Sequence, residues 1–77
     1  MENFIISLVT GETYHLKTEY KRVTVHNRMA MLYYIEQFSQ VSRYDIKSIT
    51  KATEDEVKDC SLIIIVSKSM VQRFNAQ

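Results

Sequence analysis

Phe4-Ile5-Ile6-Ser7-Leu8-Val9, then Thr10-Gly11-Glu12, then Thr13-Tyr14-His15-Leu16-Lys17-Thr18-Glu19-Tyr20 is the stretch on which the fold turns. Its first six residues are rich in β-formers and predict a strand. In its last part Tyr14, Leu16, Thr18 and Tyr20 alternate with His15, Lys17 and Glu19. That period of two is the signature of a strand with one buried face. Gly11 is the only glycine of the chain. It sits where a tight turn needs backbone that tolerates positive φ. Residues 4–9 and 13–20 therefore predict a β-hairpin.

Downstream the alternation changes phase. Val23 and Val25 have odd parity where Tyr14, Leu16 and Tyr20 have even parity, and a one-residue shift turns side chains to the other face. A bulge near Lys21-Arg22 or a new strand accounts for the shift, and both readings keep residues 22–26 extended. Asn27 then predicts a helix N-cap. Over residues 28–39, Met31, Ile35 and Phe38 fall at i, i+4 and i+7, flanked by Leu32 and Tyr34. Such a stripe packs a helix on a sheet, so Met31, Ile35 and Phe38 are expected to be buried.

Residues 41–60 admit two readings. Tyr44, Ile46, Ser48 and Thr50 alternate with Asp45, Lys47 and Lys51, and the β-branched content favours a strand over 44–52. The competing helix would start on a Ser42–Asp45 capping pair and bury Ile46, Ile49, Thr53 and Val57. Thr53 to Asp59 is polar and acidic and predicts a loop, with room for one helical turn capped by Thr53. The run Leu62-Ile63-Ile64-Ile65-Val66 is the clearest strand, placed within 61–67. It has no polar face, which predicts cover on both sides, as in a central strand. Ser67 or Ser69 predicts the cap of a short terminal helix holding Met70, Val71 and Phe74.

These segments predict a small α+β domain in the order β-β-α-β-β, followed by a short C-terminal helix. Its sheet would be mostly antiparallel, with one main helix on a face. With 77 residues there is room for a single domain. A chain this short buries only about 60% of its unfolded surface, and small folds often gain support by association. The exposed side left over the aliphatic run adds to that expectation, and a homodimer is predicted.

The composition, 45% hydrophobic with no proline, is that of a folded chain rather than a disordered one. A lone cysteine, Cys60, makes no internal disulfide and suits a reducing, cytoplasmic setting. The N-terminus lacks a basic region followed by a long apolar run, so no signal peptide is expected. The longest apolar run has five residues, against about 20 for a membrane helix.

No constellation points to catalysis, a metal or another cofactor. Cys60, His15 and His26 have no ligand pair at helical spacing. Glu54, Asp55, Glu56 and Asp59 lack the alternation and glycine of a calcium loop. There is no glycine-rich phosphate loop and no serine-centred elbow. The expectation is a protein that is not an enzyme.

The cations and tyrosines are the more informative group. Between residues 14 and 51, seven Lys and Arg stand against three acids, giving 7 − 3 = +4. Five tyrosines accompany them, all in that span. Aromatics stack bases and cations neutralise phosphates, so a nucleic-acid-binding domain is one reading. The whole-chain charge of +1 and the absence of a helix-turn-helix or RNP-like pattern disfavour it. Tyr and Arg also dominate protein interfaces. Tyr33 and Tyr34 diverge by about 100° on a helix, so one must leave the packed stripe. Tyr33, Arg28, Arg22 and Lys21 are thus the predicted partner-binding residues, and the leading expectation is a non-catalytic protein-interaction module. Small size, no Trp or Pro, and heavy Ile, Lys and Tyr usage are shared by short accessory proteins of bacteria and phages. A small regulator or inhibitor that binds a larger protein fits that pattern.

Overall fold

Gly11 adopts φ +94°, and around it Leu8 N–H donates to Glu12 O at 2.9 Å while Gly11 N–H donates to Leu8 O at 3.0 Å. The turn joins β1 (Glu2–Leu8) to β2 (Thr13–Thr18) in antiparallel register, with Phe4 opposite Leu16 and Ile6 opposite Tyr14. The computed structural model describes residues 1–77. After the hairpin come α1 (Arg28–Ser39), a single 3-10 turn (Arg43–Asp45), β3 (Ile46–Lys51), β4 (Ile63–Val66) and α2 (Lys68–Asn75). The protein is thus a small α+β domain with a four-stranded mixed sheet and two helices. The 3-10 turn is an element the expected order lacks. Ser42 caps it by accepting from Tyr44 N–H at 3.2 Å, and the strand begins only at Ile46.

The strands lie in the order β3-β1-β2-β4. β3 is antiparallel to β1, and β4 is parallel to β2. The period of two then sorts the side chains. Phe4, Ile6, Leu8, Tyr14, Leu16, Ile64 and Val66 form the buried cluster on one face, with Ala30, Met31 and Ile35 of α1 and Val71 of α2. Val71 is placed by the Ser67 cap, whose Oγ accepts from Met70 N–H at 3.2 Å. The opposite face carries Asn3, Ile5 and Ser7, then His15 and Lys17, then Ile63 and Ile65.

β3 ends at the edge and end of the sheet diagonally opposite the start of β4. α1 occupies the core face, so residues 52–62 cross the other one. There Val57, outside the main core cluster, and His15 are each only 7% exposed. Thr53 and Glu56 brace the crossing: Thr53 N–H donates to Glu56 Oε1 at 2.9 Å, and Glu56 N–H donates to Thr53 Oγ1 at 3.3 Å.

Four expectations are corrected. β4 is an edge strand, not a central one: Ile64 and Val66 are buried, but Ile63 and Ile65 are 58% and 51% exposed. Its parallel pairing puts it outside β2, and the helices cover only one face of the sheet. Residues 22–26 are not a strand. Asn27 is buried and its side chain, instead of capping α1, holds this segment in a turn. Its Oδ1 accepts from Thr24 N–H at 2.8 Å and its Nδ2 donates to Arg22 O at 3.1 Å. Phe38 is 53% exposed although Met31 and Ile35 are buried. It lies on the correct helical stripe but only one residue before the end of α1, where Gln40 turns the chain at φ 61°.

Candidate functional site

The helices meet through aromatic side chains. Tyr34 projects from α1 toward α2 and its hydroxyl donates to Met70 O at 3.2 Å. Tyr33 lies edge-on to Tyr34, with ring centroids 5.1 Å apart, and its other side meets Phe74 of α2 at 5.2 Å. Phe38 stacks on Tyr34 at 6.1 Å. One turn apart on α1, Tyr34 and Phe38 share a side of the helix, and α2 brings Phe74 to the same place. The result is a four-ring cluster with Tyr34 and Phe74 half-buried at its base. Phe38 and the 37% exposed Tyr33 stand at its surface.

The predicted partner residues are not all gathered in this cluster. Tyr33 is part of it, so the residue expected to leave the packed stripe is also held by two neighbouring rings. Arg28 opens α1, exposed, with no acidic partner for its guanidinium. Arg22 and Lys21 are exposed in the turn before the helix, where each uses its carbonyl: Lys51 Nζ donates to Lys21 O at 2.9 Å and Asn27 to Arg22 O. Their charged ends carry no ion pair. Exposed Phe38 and half-buried Phe74 are the members of the cluster that sequence reasoning missed as site residues. The spacing of Phe38 points to the core, and Phe74 reaches Tyr33 only through the packing of α2 on α1.

Two cations of the basic span are already engaged. Arg43 meets Glu36 Oε1 through Nη2 at 2.8 Å and Nε at 3.1 Å. Those hydrogen bonds hold the Glu36 carboxyl below its ordinary pKa and the Arg43 guanidinium above its own. Lys51 Nζ meets Glu2 Oε1 at 2.6 Å and lies over the Phe4 ring at 5.4 Å. The tyrosines are scattered likewise. Tyr14 is in the core, Tyr20 lies under Lys68 Nζ at 5.4 Å, and Tyr44 stands alone, 87% exposed. On the face of the sheet away from the helices, the strands carry aliphatic, small polar, His and Lys side chains but no Phe or Tyr. The one ring there, His15, is buried, so that surface offers bases nothing to stack on.

No three of the His, Cys, Asp and Glu side chains form a group able to hold a metal ion, and the surface has no concave pocket. No helix is long and apolar enough to cross a membrane. Compared with models of protein families, with curated proteins and with solved structures, the chain matches none.

Proposed function

We propose that this protein is a non-catalytic interaction module, a small regulator that acts by binding a larger protein through the aromatic surface of α1 and α2. One observation carries the reading: Phe38 and Tyr33 lie exposed on rings that fix their orientation. An aromatic side chain already held by its neighbours loses little rotamer freedom on binding, so more of its buried area appears as affinity. Arg28, Arg22 and Lys21 supply unpaired charge on the same helix and the turn before it, suited to steering an acidic partner. Against a phosphate-binding role stand the ion pairs of Arg43 and Lys51 and the dispersal of the tyrosines.

The test is capture of partners from the source cell, with and without nuclease, read by mass spectrometry. The wild-type chain should retain a protein partner after nuclease treatment. Phe38→Ala, Tyr33→Ala and Arg28→Ala should weaken that capture while each variant still melts cooperatively within a few degrees of wild type. Nuclease-sensitive capture would count for nucleic acid instead. Undiminished capture by all three folded variants would remove the helical surface from the function.

A further inference from the structure

The side of β4 that faces away from β2 bears no strand. His15 N–H donates to Leu62 O at 2.7 Å, and the parallel register pairs His15 with Ile63 and Lys17 with Ile65. In a parallel ladder the residues that bond the neighbour alternate along a strand. Leu62, Ile64 and Val66 thus turn their backbone groups toward β2, and Ile63 and Ile65 turn theirs outward. These two are also the residues whose side chains are more than half exposed. No charged side chain interrupts the chain from Cys60 to Ser67. An open aliphatic edge of this kind is a template for another strand.

We propose that the strand it accepts is β4 of a second copy, paired antiparallel about a two-fold axis at Ile64. The out-turned residues set this register. Ile63 faces the partner's Ile65, and Ile65 faces the partner's Ile63, each pair exchanging two N–H···O=C bonds. The same pairing stacks the exposed isoleucines against one another on the face crossed by residues 52–62. Ser61 falls opposite the partner's Ser67. Charge favours the antiparallel sense. The turn before β4 carries Glu54, Asp55, Glu56 and Asp59 against one Lys58, whereas Lys68 follows β4. Antiparallel pairing brings acidic end to basic end in both halves, and parallel pairing would set like against like. A two-fold contact closes on itself. Pairing β4 to a neighbour's β3 would instead extend without limit and bring Lys47 to the joint. The product is one continuous sheet of two four-stranded halves. It uses a different surface from the aromatic cluster, so each proposal stands or falls alone.

Sedimentation equilibrium of the intact chain, loaded from ~1 μM to ~1 mM, reads the association directly, because assembly follows mass action. The mass should rise from 9.1 kDa toward twice that value. A double variant, Ile63→Lys with Ile65→Lys, should keep its circular dichroism and stay at the monomer mass. Amide exchange on the wild-type chain is the second readout. Protection of the Ile63 and Ile65 amides should grow with concentration, while the outward amides of β3 stay unchanged. A mass of 9.1 kDa at every loading overturns the proposal. So does a rise in mass that the double variant retains, or one without added protection at Ile63 and Ile65.

Discussion

β3 and β4 each have a neighbour on one side only, yet their sequences treat the open side in opposite ways. β3 reads Ile46-Lys47-Ser48-Ile49-Thr50-Lys51 and β4 reads Ile63-Ile64-Ile65-Val66. Ala52 N–H donates to Asn3 O at 3.0 Å, which by antiparallel alternation turns the backbone of Ile49 and Lys51 outward, while Lys47 is the extra residue where the register shifts between Ser7 and Leu8. This edge thus carries one out-turned lysine and a second at its bulge. A lysine at an edge deters a further strand, because docking would desolvate its charge. The out-turned residues of β4 are both isoleucines. One edge is defended and the other is not, so the same sheet is closed to growth on one side and open on the other.

The largest expected difference lies on the inner faces. Ile64 is buried against α1, whereas Ile49 is only partly covered. Ile64→Ala should cost about 3 kcal/mol and Ile49→Ala about 1 kcal/mol, in proportion to packing lost. Chemical denaturation of both variants checks this, and equal losses would mean that β3 and β4 are equally anchored.

A smaller effect separates the two sides by pH. Burial, and secondarily the charge of Lys17, holds the His15 imidazole below its ordinary value of 6.5. The folded state therefore binds this proton less readily than the unfolded chain. Its stabilising contribution is present above 6.5 and is lost as pH falls through the lower folded value. On the β3 side, the hydrogen bond and charge of Lys51 hold Glu2 below its ordinary 4.5. That contribution is present above 4.5 and disappears only as pH falls through the folded value. Melting from about pH 7.5 to about pH 5.5 should thus lower the midpoint through His15 while leaving the Glu2–Lys51 pair intact. His15→Gln should flatten that slope, and an unchanged slope would detach His15 from it.

The smallest change in folding stability belongs to Lys47→Ile, within about 0.5 kcal/mol as for most exposed substitutions. Its consequence is in association instead. Removing the exposed lysine should let β3 behave as β4 does and raise light scattering at high loading. Unchanged scattering would show that Lys47 does not guard that edge.

The hairpin was legible because three signals coincide in seventeen residues: β-rich composition, alternation and the single glycine. The terminal helix was legible from Ser67 and the spacing of Met70, Val71 and Phe74. The place of β4 in the sheet was not. An all-aliphatic run states that a strand is apolar, and a dry interior and an open edge are written with the same letters. Val23 and Val25 carry the composition of a strand, but Asn27 reaches back and bonds their segment into a turn. Phe38 obeys helical periodicity, which specifies an angle around the axis and not how far the helix overhangs the sheet. For the candidate site, Tyr33 was found by its divergence from Tyr34. Its contact with Phe74 depends on how two distant helices dock, which no local pattern encodes.

The parallel pairing of β2 with β4 also imposes an order in time. His15 and Ile63 are partners across 63 − 15 = 48 positions of chain, whereas the two strands of the hairpin meet across one turn. Contacts between distant residues form late, because the intervening chain must be ordered first. A ribosome adding about 5 to 20 residues per second makes β2 several seconds before it makes β4. For that interval the flank of β2 has no strand of its own molecule to take. Refolding followed by pulsed hydrogen exchange should then protect the amides of Phe4 and Ile6 before those of Ile64 and Val66. β4 is made after the hairpin and docks after it, and until it does, the nascent hairpin keeps an exposed edge along β2.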